Sequence, residues 1–340
     1  MKLSISHMIA ASALTLSVNA FAIELNKPIA ATIIIKNPRQ MSMLQYGNQS
    51  ALSMPAKKTV MLMNIKLNHR QKQILNQAPL KAEASLSQES EGLPKQYDRG
   101  MNGTPVLNQG LHGSCVTFAN SAAIDALLGK GNYISPLCNL ALGNYFEEKG
   151  YVPSGWDGST GSIVLNQIMS FGIINMETQV SKTCGGLKNY PELDPYNIGG
   201  AMTLDEFKLY SENLNERIYW DPLLNMDERF EWKSSAQAKT LLSEVKKALA
   251  AQGTNLRLTF AVMLPADYCS AGACARYHTD NDTWALTQAI KNDPDPELGG
   301  HEMVITGYND DALVVDDEGT THRGILILRN SWGTDAGDQG

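Results

Sequence analysis

Cys115 is the first residue in this chain of 340 residues whose surroundings suggest chemistry. It lies one residue after the expected helix start at Ser114, within the segment PVLNQGLHGSCVTF. The backbone N–H groups at a helix start favour an anion, so a thiolate would be stabilised there. Gln109 could add a side-chain N–H for an oxyanion, beside the backbone N–H of Cys115. The segment predicts a nucleophile, although a helix-start cysteine on its own is more often an inert buried thiol.

Two later segments offer the partners that such a nucleophile needs. The segment GGHEMVITGY places His301 at the head of an apolar strand, where an imidazole can face a cleft. The segment LRNSWG places Asn330 and Trp332 in a turn after another apolar strand. An asparagine carbonyl can accept a hydrogen bond from the Nδ1–H of a histidine and so fix its ring. A tryptophan beside that bond can keep water away from it, so the segments predict a Cys–His–Asn site.

In this order, the three segments resemble the motifs of the papain family of cysteine peptidases. The matching runs are QGLHGSC, GGH and NSWG, and LPKQYD at 93–98 resembles the start of the mature enzymes. The resemblance covers about 93–340 and is weak between the motifs. It implies a papain-like two-lobe α+β fold, with a helical lobe around a central nucleophile helix and an antiparallel β lobe.

The resemblance implies a role for each matching position. Cys115 would be the nucleophile, and His301 would be its ion-pair partner and the proton donor to the leaving amine. Asn330 would orient His301, and Trp332 would shield the contact between them. Gln109 would line the oxyanion hole. Acylation of Cys115 followed by hydrolysis would cleave a peptide bond, with no cofactor and no metal.

The sequence departs from the family pattern near the nucleophile and in its spacing. His112 stands where the family has a cysteine and Val116 where it has an aromatic residue, and we expect His112 on the solvent side of the turn. His301 and Asn330 follow Cys115 at more than the usual separation of about 130–150 residues. The family's glycine-rich stretch, which lines the non-primed side of the cleft, has no clear copy. The weak candidates for substrate binding are Gly158 and Gly161.

Hydrophobic periodicity and capping residues predict the elements that carry these motifs. The N-terminal part is predicted to form a hairpin of strands 28–36 and 59–67, a helix over 68–78 and a polar linker over 82–92. The later helices are predicted at 114–128, after Ser135-Pro136, at 162–171 and at 235–250. The later strands are predicted at 256–264, 302–308, 312–315 and 324–328. Helices followed by strands indicate an α+β architecture with two lobes.

The N-terminus indicates export. Lys2, an apolar core over 8–18 and the small residues of AFA at 20–22 predict a signal peptide over 1–22. The apolar core is shorter than the roughly 20 residues that a membrane span needs. We therefore expect a signal peptide (1–22), a propeptide (23–92) and a peptidase domain (93–340) that lacks the family's closing strands. The alternative for 23–92 is an accessory domain, and the expected location is secreted or periplasmic.

The five cysteines indicate disulfides in an exported protein. Cys269 and Cys274 could form a local clip, and Cys138 and Cys184 could close a longer loop, which would leave Cys115 free. Four cysteines allow three pairings, and the sequence does not choose among them. Unpaired thiols are the alternative.

Composition limits the partners. The chain has 28 basic and 35 acidic residues, a net charge of −7, and no cluster of Lys or Arg. Nucleic acids and anionic membranes both need a basic face, so we expect neither as a partner. The acidic residues at 293, 295 and 297 lack the spacing of a calcium loop. The expected partners are protein or peptide substrates and the chain's own propeptide, with a monomeric state.

These observations lead to one hypothesis and two alternatives. The hypothesis is an exported, bacterial-type cysteine endopeptidase that is made as a zymogen with an atypical propeptide. The first alternative is a catalytically inactive binding protein on the same fold. The second is a Cys–His–Asn amidase or acyltransferase that acts on a non-protein amide, because peptidases and amidases pass through the same acyl-enzyme.

Overall fold

One long strand organises the structure. The computed structural model describes residues 26–35, 56–78, 92–214, 218–223, 235–266, 274–278 and 282–340. The strands within these ranges are β1 (Asn26–Ile35), β2 (Ala56–Ile65), β3 (Gln96–Asp98), β4 (Leu258–Pro265), β5 (Ala275–Arg276), β6 (Leu298–Asp316) and β7 (Thr321–Arg329). The helices there are α1 (His69–Gln77), α2 (Cys115–Leu128), α3 (Pro136–Glu148), α4 (Gly161–Phe171), α5 (Met176–Lys182), α6 (Leu204–Tyr210), α7 (Ser235–Ala250) and α8 (Gln288–Asn292).

β6 is the strand on which the antiparallel sheet is built. Its first residues pair with β4 and, through 298–300, with β2. Its later residues pair with β7 and with the short strands β3 and β5. The predicted α+β class with an antiparallel sheet is confirmed. The separate strands predicted at 302–308 and 312–315 are one strand, because the polar residues between them lie at a register shift and not at a turn.

The longer helices begin and end where their capping residues predict. Asn68 forms a capping box with Gln71 at the start of α1, and the Ser135 hydroxyl accepts a hydrogen bond from the backbone N–H of Cys138 at the start of α3. Gly129 adopts a left-handed conformation at the end of α2. Sequence analysis missed α5, α6 and α8, because five to seven residues are too few to show a helical period.

The helix that begins at Cys115 is the centre of the structure. Every residue of α2 from Cys115 to Ala126 is buried. Four alanines of α2 belong to a core cluster with Val304 of β6. Because alanine has a small side chain, it lets the helix lie close to the strand. The packing therefore holds the candidate nucleophile helix against the strand that carries His301.

The N-terminal hairpin, formed by β1 and β2, is part of the same sheet. β1 and β2 pair antiparallel, as predicted, and β2 continues the sheet at the first residues of β6. Leu62 of β2 is buried in a cluster that includes Leu264 of β4 and Trp332. A Cβ atom at Gly299 would lie 2.4 Å from the Cβ of Leu62, so only glycine allows this close approach. The hairpin thus shares a hydrophobic core with the chain after residue 92.

One of the possible cysteine pairings is present. Cys138 at the start of α3 forms a disulfide with Cys184, and Cys115 is free. Cys274 is also disulfide-bonded, but Cys269 lies outside the described residues. The predicted signal peptide and residues 82–91 of the predicted linker lie outside them as well. Across the described ranges, no helix has the length and apolar character that crossing a membrane would require.

The shared core predicts that the hairpin contributes to stability. Leu62→Ala should lower the free energy of unfolding by about 2–5 kcal/mol, because it removes buried methyl groups and leaves a cavity. The measurement is equilibrium unfolding in denaturant. Thr59→Ala, an exposed position of the same strand, is the control and should change stability by less than about 0.5 kcal/mol. Equal effects of the two substitutions would mean that the hairpin does not pack on the sheet.

Candidate active site

Cys115 lies at the first position of α2 and is only 3% exposed. Ser114 does not cap the helix with its side chain, because its hydroxyl hydrogen-bonds the Tyr190 hydroxyl at 2.8 Å. Burial raises the pKa of Cys115 to about 12, and the nearby charge of Glu302 adds to this rise, while the backbone N–H of Glu302 opposes it. In this structure the cost of burying a charged sulfur is therefore larger than the stabilisation of a thiolate by the helix start, and the Cys115 sulfur is a neutral thiol.

His301 and Asn330 are hydrogen-bonded to each other, through the ring nitrogen other than the expected one. The Nε2 of His301 lies 2.8 Å from the Oδ1 of Asn330, whereas the sequence analysis expected Nδ1. The Oδ1 of Asn330 also accepts a hydrogen bond from the backbone N–H of Ser331, so Nε2 must be the donor. Nδ1 is buried and has no hydrogen-bond partner among the described residues. Nδ1 is thus the nitrogen that remains for proton transfer.

The environment of His301 favours the neutral imidazole. The ring is 2% exposed and stacks on Trp332 at 4.5 Å between centroids, with 27° between the planes. Burial lowers the pKa of His301 to about 4, and the hydrogen bond that its Nε2–H donates to Asn330 opposes this effect. Trp332 therefore packs against the imidazole ring that is hydrogen-bonded to Asn330.

Gln109 is held between the loop 109–114 that precedes Cys115, called here the nucleophile loop, and the turn after β7 that carries Asn330. Its Nε2 donates to the backbone carbonyl of His112 at 2.8 Å, and its Oε1 accepts from the Ser331 hydroxyl at 2.7 Å. The backbone N–H of Gln109 donates to the Ser331 carbonyl. Since an amide NH₂ carries two hydrogens, one remains for another acceptor. The amide is thus preorganised, as an oxyanion donor must be.

The expectation that His112 faces solvent is wrong. His112 is buried, its Nε2 lies 2.9 Å from the carbonyl oxygen of Pro191, and its ring packs edge-on against Trp156 and Tyr190. Burial also lowers the pKa of His112. The rings of Trp156 and Tyr190 and the carbonyl of Pro191 surround the imidazole and so keep it from solvent. His112 is a packing residue of the nucleophile loop.

The weak substrate-binding candidates face two different groups. A Cβ atom at Gly158 would lie 3.0 Å from the sulfur of Met63 in β2, and one at Gly300 would lie 2.9 Å from the terminal methyl of the same methionine. A Cβ atom at Gly161 would lie 3.1 Å from a carboxylate oxygen of Glu302. The segment 157–161 therefore borders both the N-terminal hairpin and the strand of His301.

The N-terminal hairpin covers the site. β2 pairs with the residues directly before His301, and the side chain of Met63 fills the space between Gly158 and Gly300. Lys58 of β2 donates from Nζ to the Trp332 carbonyl at 2.8 Å and to the side chain of Asn108 at 3.1 Å. These contacts attach the hairpin to both loops that carry candidate residues.

Sequence reasoning missed three residues that position the site: Tyr190, Glu302 and Ser331. Tyr190 donates to the Gln109 carbonyl, Ser331 holds the Gln109 side chain, and Glu302 lies beside Cys115. Glu302 had a visible signal, because it is a charged residue within the apolar run that follows His301. Among the described residues, no group of three or more His, Cys, Asp or Glu could hold a metal ion.

Comparisons with known proteins gave only structural likenesses. No family model matches the sequence, and the search of curated proteins found no significant match. Digestive procathepsin L 3 of the Tenebrio molitor larval midgut is 19% identical with a TM-score of 0.40, covering 79% of this chain and 70% of that one. ProCathepsin B S9 from Trypanosoma congolense is 11% identical with a TM-score of 0.41, covering 77% and 74%. Recombinant stem bromelain precursor is 15% identical with a TM-score of 0.38, covering 88% and 78%.

The buried imidazole predicts a specific dependence of stability on pH. Since the pKa of His301 falls from 6.5 to about 4, the unfolded chain binds a proton between these values that the folded chain does not. His301 therefore lowers stability as the pH falls through this window. Relative to the original chain, His301→Gln should gain on the order of 3 kcal/mol in unfolding free energy between about pH 7 and pH 4.

The comparison needs denaturant unfolding at several pH values for the original chain, for His301→Gln and for a control. His69→Gln is that control, because His69 is exposed at the start of α1. A stability difference for His301→Gln that stays constant from pH 7 to pH 4 would contradict burial of a neutral imidazole.

Proposed function

We propose that this chain is an exported, papain-like cysteine endopeptidase made as a zymogen, with Cys115, His301 and Asn330 as its triad. The observation that carries the proposal is the hydrogen bond between His301 Nε2 and Asn330 Oδ1, which leaves Nδ1 for proton transfer. Cys115 at a helix start beside the same strand supplies the nucleophile. The Cys138–Cys184 disulfide supports export to an oxidising compartment.

The proposed reaction uses only side chains and water. The thiolate of Cys115 attacks the peptide carbonyl carbon while its proton resides on Nδ1 of His301. The oxyanion accepts hydrogen bonds from the backbone N–H of Cys115 and from the free amide hydrogen of Gln109. The Nδ1–H of His301 then protonates the leaving amine as the C–N bond breaks. Water, deprotonated by the same nitrogen, hydrolyses the thioester and releases the carboxylic acid product.

With the N-terminal hairpin in place, the proposed enzyme is inactive for an electrostatic reason. A pKa near 12 for Cys115 and near 4 for His301 means that both groups are neutral across the pH range between these values. An ion pair between thiolate and imidazolium would be poorly solvated under the N-terminal hairpin. Removal of residues 23–92 would admit water and move both pKa values toward their ordinary range. We propose 1–22 as signal peptide, 23–92 as propeptide and 93–340 as peptidase domain.

Cys115→Ala should abolish peptide hydrolysis and leave the fold intact, because the substitution removes only the sulfur. The measurement combines cleavage of a peptide library with circular dichroism. An epoxide that alkylates activated thiols should label Cys115 of the mature chain, as located by peptide mass mapping. Ser121→Ala on the same helix is the control, because this buried hydroxyl has no hydrogen-bond partner among the described residues. Hydrolysis retained by Cys115→Ala would overturn the mechanism.

The covered site predicts that the hairpin inhibits the enzyme. A chain that begins near residue 93 should cleave peptides at least about tenfold faster than the chain with 23–92 attached, because Met63 and β2 no longer fill the cleft. Lys58→Ala in the full chain should also raise the rate, since it removes three contacts of the lysine, with Trp332, Asn108 and Asp335.

Lys57→Ala is the matched control for this test. Lys57 is the exposed neighbour of Lys58 on β2 and should leave the rate unchanged. Equal rates for the full chain, for Lys58→Ala and for the shortened chain would make 23–92 an accessory domain.

A further inference from the structure

The residue after His301 is a buried carboxylic acid that joins three elements. Glu302 is 3% exposed, and its Oε1 accepts a hydrogen bond from Nδ2 of Asn120 on α2 at 2.6 Å. The same Nδ2 donates to the Val116 carbonyl in the first turn of α2 at 2.8 Å. The Oδ1 of Asn120 accepts from the Thr259 hydroxyl on β4 at 3.2 Å. The network thus connects the strand of His301 with the helix of Cys115.

Among the described residues, the contacts of the Glu302 side chain include no basic group. Asn120 and Cys115 of α2 and Thr259 of β4 lie beside it. Gly161 at the start of α4 also lies beside the carboxylate, and its missing side chain leaves room for it. Burial raises the pKa of Glu302 to about 7, and hydrogen bonds from Asn120 and Thr259 oppose that rise. His301 is the neighbour of Glu302 on β6, and its side chain points to the opposite face of the strand. In the part of the chain that the structure describes, the titratable group beside Glu302 is therefore Cys115.

We propose that Glu302 is a positioning residue that holds α2 against β6 through Asn120 and that, when ionised, opposes thiolate formation at Cys115. The proposal rests on Cys115 as the nucleophile of the proposed function. Its basis is the Glu302–Asn120–Val116 chain of hydrogen bonds and the direct approach of the Glu302 backbone to the Cys115 sulfur. A carboxylate at this place repels a second anion, because both groups are buried and solvent screens their charges poorly.

The sign of the effect follows from the two protonation states of Glu302. The protonated acid is neutral and leaves the ionisation of Cys115 unopposed. The carboxylate raises the free energy of the thiolate and so raises the pKa of Cys115. The thiolate fraction of Cys115 therefore increases less steeply through neutral pH than it would without the carboxylate.

The test is the rate at which iodoacetamide alkylates Cys115 in the full chain, from pH 5 to pH 9, read by peptide mass mapping. Iodoacetamide can reach Cys115 only when the N-terminal hairpin opens. This requirement lowers the rate by the same factor in every variant, so the factor cancels when the rates of two variants are divided. The rate of Glu302→Gln divided by that of the original chain should be near one at pH 5. It should rise through neutral pH to about tenfold, the effect of one pKa unit.

Two further variants separate charge from structure. Glu302→Met removes the carboxylate and the hydrogen-bond acceptor, and its relative rate should rise with pH in the same way. Asp125→Asn is the matched control, because Asp125 is also buried on α2 with a pKa raised to about 7, but it accepts from the backbone N–H groups of Tyr133 and Ile134. Its relative rate should not change with pH.

A purely structural role for Glu302 would change the alkylation rate by the same factor at every pH. If neither Glu302 variant is alkylated faster than the original chain at pH 9, the proposal is overturned. Alkylation reports on the thiol and not on peptide cleavage, so the two proposals can fail separately. If the relative rate does not change with pH but the protein cleaves peptides, only the proposed role of Glu302 is overturned. If the relative rate rises with pH but the protein cleaves no peptide, only the proposed peptidase function is overturned.

Discussion

The pairing of β6 along both edges is the constraint on which the candidate site depends. β7 pairs with β6 so that Arg329 lies opposite Val304, and this register brings Asn330 within reach of His301. The alanine face of α2 packs against the same stretch of β6, which brings Cys115 to the backbone of Glu302. A shift of one residue in the β6–β7 register would turn every β7 side chain to the opposite face. The placement of Cys115, His301 and Asn330 is thus a consequence of one strand register and one helix packing.

Burial is the second feature that shapes the candidate site, because it favours the uncharged form of each of three titratable groups. Burial favours the neutral forms of Cys115, His301 and Glu302, which raises the pKa of the two acids and lowers that of the imidazole. A helix start favours a thiolate only where water or a counter-ion also stabilises the charge. With the N-terminal hairpin in place, the three groups are therefore uncharged, and under the proposed function access of water would separate this state from a reactive one.

The sequence was sufficient for the local features and insufficient for the contacts between distant segments. Capping residues such as Asn68 and Gly129 placed helix ends correctly, because a cap depends on a few neighbouring residues. The pairing of β2 with β6 spans more than two hundred residues, and no local pattern encodes it. The choice between Nδ1 and Nε2 of His301 depends on how the ring packs on Trp332, which is a tertiary contact. The pairing of Cys138 with Cys184 likewise required the fold.

The two glycines before His301 serve a purpose that the sequence analysis did not identify. The sequence predicted only that His301 lies at the head of a strand and faces a cleft, yet the N-terminal hairpin packs directly against both glycines. A Cβ atom at Gly299 would overlap Leu62, and one at Gly300 would crowd Met63 and Ile65. Glycine at these positions therefore allows β2 to pair with β6 at the entrance of the site. If the hairpin were removed, as proposed, the same edge of β6 at 298–300 would lose its backbone partner and could pair with another extended chain, such as a peptide. One strand edge thus explains how a covering hairpin and a substrate could compete for the same place.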